Sequence, residues 1–349
     1  MVGGAGMTRI WFNKTFSNVR ALFDLVRRGD EAGEFCLVCS HTQTEFPGFL
    51  SAHESLLEPA GLVGPDYVDF CLDVCRQHRI DAFWPGKEVR RLAAEEARFA
   101  AIGVRLLTAA EPDSLALLHD KSRFYQMARD FSVTGPEFIA FSTCEQFEAA
   151  YAKLRARHPV LCVKPVDGVN GAGFRVIEEQ RGGLEILLQG ALYSIHHEGL
   201  RQLLAAAGEF APLLLMEFLD GVEYSVDCVG DGRRLIAHVQ RRKSNSGGYG
   251  QRIVAVPEIA RVVAEMTAAF GLRGLFNAQF REGRDGIRLL EINPRFSGGI
   301  GYTGAAGVNL PYLALRGLVH GFPESVPPTV AVGVRVLEET SYSRVEGLV

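Results

Sequence analysis

From Arg9 onward, short apolar runs alternate with segments whose apolar residues fall at helical spacing. Ile10–Phe12, Phe35–Cys39, Ala82–Trp84 and Val104–Leu107 read as buried strands. Val19, Leu22, Phe23 and Val26 mark one helix face, and Tyr67–His78 and Glu88–Ala101 supply two more helices. This rhythm predicts a parallel sheet covered on both faces, with ligand positions at its strand ends. No GxGxxG follows the first strand, so a dinucleotide site is not expected there. The stretch from Glu111 to about His158 reads as helical, interrupted at Gly135-Pro136.

After Val160 the pattern changes. Strands come closely spaced at Val160–Lys164, Phe174–Ile177, Leu213–Glu217, Tyr224–Val229 and Arg234–Arg241. A helix at Pro257–Phe270 and strands at Leu275–Phe280 and Arg288–Ile292 complete an antiparallel α+β region. Lys243–Gln251 is polar and Gly/Ser-rich, and reads as a loop or lid.

Composition narrows the function classes. The 349 residues are 47% hydrophobic and 22% charged, with 37 basic and 41 acidic residues for a net charge of −4. No polyanionic partner is implied, so nucleic acid is not expected. No apolar run nears the ~20 residues of a membrane span. The first residues, MVGGAGMTRI, lack the basic and apolar regions of a signal peptide. Gly3–Gly6 reads as an added tag, Met7 as the start, and the cytoplasm as the location. Cys36 and Cys39 lie three apart on a strand and so point to opposite faces, which argues against a zinc knuckle. Cys71 and Cys75 share a helix face with Val68 and read as small buried hydrophobes. His119, His196 and His197 read as surface or linker residues.

Candidate chemistry gathers in the second half. In "LLEINPRFSGG", Glu291 and Asn293 alternate onto one strand face, and Gln279 of "NAQF" can join them. Few, hard oxygen donors suit Mg²⁺, with phosphate oxygens completing the octahedron. Pro294 ends the strand and leaves Arg295 at its exit, where a guanidinium can hold an anion. Lys164 closes the apolar strand "VLCVK", and Lys121 opens a helix. The loop Gly168–Gly173 lies between two strands, and its glycines let backbone N–H groups approach phosphate oxygens. In "MEFLDGVEY", Glu217-Phe218-Leu219 ends a strand, and Glu223 begins the next.

Lys121, Lys164, the glycine loop, Glu217-Phe218-Leu219, Glu223, Gln279 and Glu291-x-Asn293-Pro294-Arg295, in that order, resemble the ATP-grasp superfamily. The "NAQF…LLEINPRFS" segment is most similar to the synthetase units of the carbamoyl-phosphate synthetase large subunit and to amino-acid ligases. The resemblance covers roughly Glu88–His320. It implies an α/β plus α+β architecture. A Rossmann-like pre-ATP-grasp parallel sheet (7–112) would precede a small lid subdomain (113–215, with the loop 168–173) and a C-terminal metal-binding subdomain (216–349).

The resemblance also implies roles. Lys121 and Lys164 would bind phosphates, with Gly171 and Gly173 in the lid over them. Glu217-Phe218-Leu219 would meet adenine, Glu217 and Leu219 through backbone atoms, and Glu223 would bind ribose. Gln279, Glu291 and Asn293 would carry one or two Mg²⁺, with Mn²⁺ as an alternative. Arg295 would stabilise the transferred phosphoryl group. Arg241 and Arg242 would reach phosphate or carboxylate, or be a solvated strand end. The implied activity is ADP-forming ligation of a small carboxylic or amino acid to an amine or thiol through an acyl-phosphate. Bicarbonate phosphorylation and a non-catalytic nucleotide sensor are the alternatives, and a homodimer is the default assembly.

Three departures matter. Gln279 stands where many members have an acid, although the carbamoyl-phosphate type also has glutamine, so one metal would be held weakly. Asn170 stands where Gly or Ser is usual. Phe296–Gly301 is glycine-rich, as in peptide ligases where backbone nears a substrate.

Overall fold

The computed structural model describes residues 6–15, 18–168, 171–191, 193–244, 250–322, 324, 328–339 and 341–344. Val169 and Asn170 of the glycine loop, residues 245–249 of the expected lid and Gly3–Ala5 of the expected tag lie outside the described residues. The chain divides into two compact units. The first comprises residues 1–116, 223–279 and 292–349, and the second 117–222 and 280–291.

The first unit contains a five-stranded sheet. Its strands are β1 (Thr8–Phe12), β2 (Phe35–His41), β3 (Glu54–Leu57), β4 (Ala82–Trp84) and β5 (Arg105–Leu106), in the order β3-β2-β1-β4-β5. All its pairings are parallel. Alternation decides the two faces. Ile10, Phe12, Leu37 and Cys39 join one core, whereas Trp11, Cys36, Val38 and Phe83 join another with Tyr67, Val68, Cys71 and Cys75. The paired cysteines therefore separate as expected, and burial pushes the Cys39 and Cys75 thiols up to about 12. Among the described residues no three His, Cys, Asp or Glu gather as a metal site. The expected third helix is two, Val89–Ala94 and Glu96–Ala100, broken at Glu95.

The first face's core continues into Val229, Val239, Leu275, Phe296, Leu310 and Leu315. The three sequence segments of this unit thus share one hydrophobic interior. Helix Pro257–Phe270 buries Ile259, Val262, Val263, Met266 and Phe270 at the expected spacing.

The second unit's sheet holds β6 (Phe138–Phe141), β7 (Leu161–Pro165), β8 (Arg175–Glu178), β9 (Ser194–His196) and β10 (Leu213–Glu217), in the order β6-β10-β7-β8-β9. Phe138–Phe141 was expected to be helical; it is a strand, paired antiparallel with β10. Leu161, Val163, Ile177 and Leu215 pack under helices Cys144–Arg155 and His197–Ala207. Alternation therefore turns Cys162 and Lys164 toward the other face.

A further sheet runs β15-β14-β11-β12-β13-β16, from β11 (Glu223–Asp231), β12 (Leu235–Arg242), β13 (Gly250–Val254), β14 (Arg273–Gly283), β15 (Gly286–Asn293) and β16 (Arg335–Leu337). Gly250 and Gln251 of the expected loop belong to β13. Among the described residues no helix is long and apolar enough to cross a membrane.

Candidate functional site

Within the second unit, the two expected phosphate lysines come together with Glu291. Asp120 caps the helix Lys121–Met127 by accepting from Arg123 N at 3.0 Å, which fixes Lys121 at its first turn. Lys121 Nζ donates to Gly168 O at 2.6 Å, tying this lysine to the start of the glycine loop. Lys164 Nζ donates to the hydroxyl of Tyr125 at 2.8 Å. Tyr125 in turn donates to Leu290 O at 2.5 Å, beside Glu291.

Burial holds the Lys121 ammonium below the usual lysine range, and the neighbouring Lys164 charge pushes the same way; Glu291, Asp167 and Asp120 oppose them. Burial likewise lowers Lys164, against Glu291. Two desolvated cations that repel each other fit an anion with several oxygens.

Gly171 and Gly173 close the loop with φ of +69° and +77°. A Cβ on Gly173 would lie 2.7 Å from Pro165 Cγ, so both backbone conformation and space require glycine there.

At the expected adenine segment, Phe218 N–H is already bonded to Val160 O at 3.1 Å. The Glu217 carboxylate is held from several sides. Its Oε2 lies 3.1 Å from His158 Nδ1, and its Oε1 lies 3.8 Å from Arg288 Nε and accepts from Glu137 N at 3.2 Å. A cavity of about 650 Å³ borders Glu217, Phe218 and Leu219, with Arg155, Glu179 and Arg288 also on its walls. Charged walls do not make an apolar slot for a purine, so this cavity is not assigned to adenine.

Within the first unit, Glu223 is ion-paired to Lys243. Arg241 is only 2% exposed, so it is no solvated strand end, whereas Arg242 is exposed. Arg241 Nε donates to Asp227 Oδ2 at 2.8 Å and Nη1 to Gln251 Oε1 at 2.5 Å. Its Nη2 donates to Ser225 Oγ at 3.0 Å and Ser297 Oγ at 3.1 Å. Gly299 packs directly on the guanidinium, where a Cβ would lie 2.6 Å from Nη1. In the glycine-rich turn, Gly299 thus faces Arg241. Asn277 donates to Asp227 Oδ1 at 3.0 Å, and its own Oδ1 has no partner among the described residues.

Gln279 and Asn293 are half-buried in this unit, and Glu291 is half-buried in the other. Glu291 and Asn293 stand two residues apart on β15 and share a face. All three offer hard oxygen donors, the chemistry that Mg²⁺ takes. Leu289, not the expected Leu290, is the fully buried leucine of this strand. Arg295 follows β15, and its guanidinium donates to Phe296 O at 3.2 Å.

Sequence reasoning passed over Tyr125, His158 and the Asp227–Asn277 pair. Tyr125 stands four residues after Lys121 and so shares its helix face, a signal that reads equally well as core.

A family described as "ATP-grasp in the biosynthetic pathway with Ter operon" matches residues 209–342. The carbamoyl phosphate synthase large chain of Thermomicrobium roseum is 29% identical over 227 residues, which are 61% of this chain and 19% of that protein. The chain therefore spans about a fifth of that relative's length. Among solved structures, the L-amino acid ligase from Bacillus licheniformis matches with a TM-score of 0.62 at 16% identity, over 93% of this chain and 75% of that one. The biotin carboxylase domain of Hydrogenobacter thermophilus 2-oxoglutarate carboxylase, in complex with MgADP and bicarbonate, matches with a TM-score of 0.63 at 14% identity, over 91% and 71%. These likenesses carry the fold, and residues 209–342 are similar to an ATP-grasp family.

Proposed function

We propose that the protein is an ATP-dependent ligase that joins a small carboxylate to an amine, releasing ADP and phosphate. The observation that carries this reading is the pair of desolvated lysines, Lys121 and Lys164, gathered with Glu291 and the glycine loop. Two buried ammonium groups beside a glycine loop offer several donors to an anion with several oxygens, as a polyphosphate has.

In the proposed reaction a carboxylate oxygen of the substrate attacks the γ-phosphorus of ATP. The bond to the bridging oxygen breaks, and ADP leaves with its electron pair. The amine nitrogen then attacks the acyl carbon, the carbon–oxygen bond to phosphate breaks, and the nitrogen gives its surplus proton to solvent. Lys121 and Lys164 would orient the phosphates, and Glu217 and Leu219 the base through their backbone. Glu223 would hold ribose, in place of its bond to Lys243. Arg295 would offset charge growing on the transferred group. Gln279, Glu291 and Asn293 would hold Mg²⁺, which supplies charge neutralisation at the phosphates when bound. No side-chain nucleophile is needed; positioning does the work.

The bicarbonate bound in the similar biotin carboxylase domain supports bicarbonate as a second reading of the carboxylate. One experiment separates these readings. ADP release is followed with Mg–ATP against pooled amino acids, dipeptides, hydroxy acids and bicarbonate, each with and without amines. Release that requires one organic carboxylate and one amine supports the ligase. Release with bicarbonate alone moves the reading to the second form. ATP binding without release across the panel points to a nucleotide sensor.

A further inference from the structure

Tyr125 has no part in the reading above. Its side chain is 2% exposed on the helix Lys121–Met127, one turn beyond Lys121. Its hydroxyl makes two bonds, accepting from Lys164 Nζ at 2.8 Å and donating to Leu290 O at 2.5 Å. Leu290 immediately precedes Glu291 on β15. One phenol therefore ties the lysine that ends β7 to the backbone that carries Glu291.

We propose that Tyr125 is a positioning residue for nucleotide binding: its hydroxyl holds the Lys164 ammonium in register with the Glu291 strand before the phosphates arrive. This rests on the nucleotide reading of Lys164. The chemistry of the partner is what makes the arrangement useful. A carboxylate partner would cancel the charge of Lys164 and compete with phosphate. The phenol has one proton, spent on the Leu290 carbonyl, so it offers Lys164 a lone pair and nothing else. It fixes a flexible four-carbon side chain without neutralising it. Ordering done in advance is not lost on binding, so the affinity for phosphate rises.

The test is a double-mutant cycle on ADP affinity, measured by calorimetry with Mg²⁺ on the full chain. Tyr125→Phe keeps the ring and removes the acceptor, and is expected to weaken ADP binding by about tenfold. Lys164→Met should weaken it further. The double variant should bind no worse than Lys164→Met alone, because Tyr125 acts only through that ammonium. Additive losses would overturn the proposal and leave Tyr125 as a packing residue. An unchanged affinity in Lys164→Met would overturn it differently, by removing the nucleotide reading of Lys164 itself. A second measurement needs no tyrosine variant. In nucleotide-free protein, the Lys164 ammonium signal in nitrogen NMR, assigned by its loss in Lys164→Arg, should exchange slowly with water. Exchange as fast as that of exposed lysines would also overturn the proposal.

Discussion

Two buried cations in this chain are held in opposite ways. Arg241 in the first unit has a carboxylate, two hydroxyls and an amide around its guanidinium, with Asp227 only 1% exposed beside it. Lys164 in the second unit donates to a neutral phenol, with burial lowering its range and the Glu291 carboxylate opposing. The arginine is saturated by the protein that surrounds it. The lysine's ammonium is held by a neutral hydroxyl, which leaves it able to turn to an incoming anion. A perturbed cation thus points to a ligand only where the protein has left it able to turn.

The largest expected effect tests the saturated side. Arg241→Ala strands the buried Asp227 carboxylate and empties the space against Gly299. Breaking a buried pair by removing one partner costs about 3–5 kcal/mol, which denaturant unfolding should detect directly. A loss under about 1 kcal/mol would mean that water reaches Asp227 and that the cluster does not hold the frame.

Lys164→Met should do the reverse. A lysine whose folded-state range lies below its unfolded one costs stability while it is charged, and that cost fades as pH rises toward the unfolded value. At neutral pH the variant should therefore be as stable as the parent or more so, while ATP-dependent turnover falls by about a hundredfold, the scale of losing charge-assisted bonds to phosphate. A variant that loses stability but keeps turnover would make Lys164 a structural cation like Arg241 and dissolve the contrast.

Legibility of the sequence follows the same division. Helix Pro257–Phe270 and strand Leu213–Glu217 have the bounds that periodicity assigns them, because their apolar spacing is long or bounded by clear turn signals. Phe138–Phe141 was hidden because four residues carry no alternation, and its partner strand begins at Leu213, far along the chain. The charged and glycine motifs stood out as residue types. Their supports did not: Tyr125 reads as core, and the fate of Arg241 depends on Ser225, Asp227, Gln251 and Ser297, which no local spacing connects.

Glu223 tests an intermediate case, since its carboxylate is paired to a half-exposed Lys243. An exposed pair of this kind contributes at most about 1 kcal/mol, so Glu223→Ala should leave stability nearly unchanged. If the carboxylate exchanges lysine for ribose hydroxyls, the KM for ATP should rise by about tenfold with kcat preserved, the scale of a hydrogen bond to a charged group. An unchanged KM would reject the ribose role and leave the ion pair as the residue's whole function.

The smallest effect separates two glycines of one loop. Gly171 and Gly173 both have positive φ, yet a Cβ on Gly171 meets nothing within 4 Å, whereas one on Gly173 collides with Pro165. Alanine at either position pays backbone strain of about 1 kcal/mol; only Gly173→Ala must also displace the residue that follows Lys164. Loop strain can be relieved by local opening, so global unfolding should barely register either change. The difference should appear in nucleotide binding, with the KM for ATP raised a few-fold more by Gly173→Ala than by Gly171→Ala. Equal effects would mean that the loop relaxes away from Pro165, and that Lys164 is aimed without help from the glycine loop.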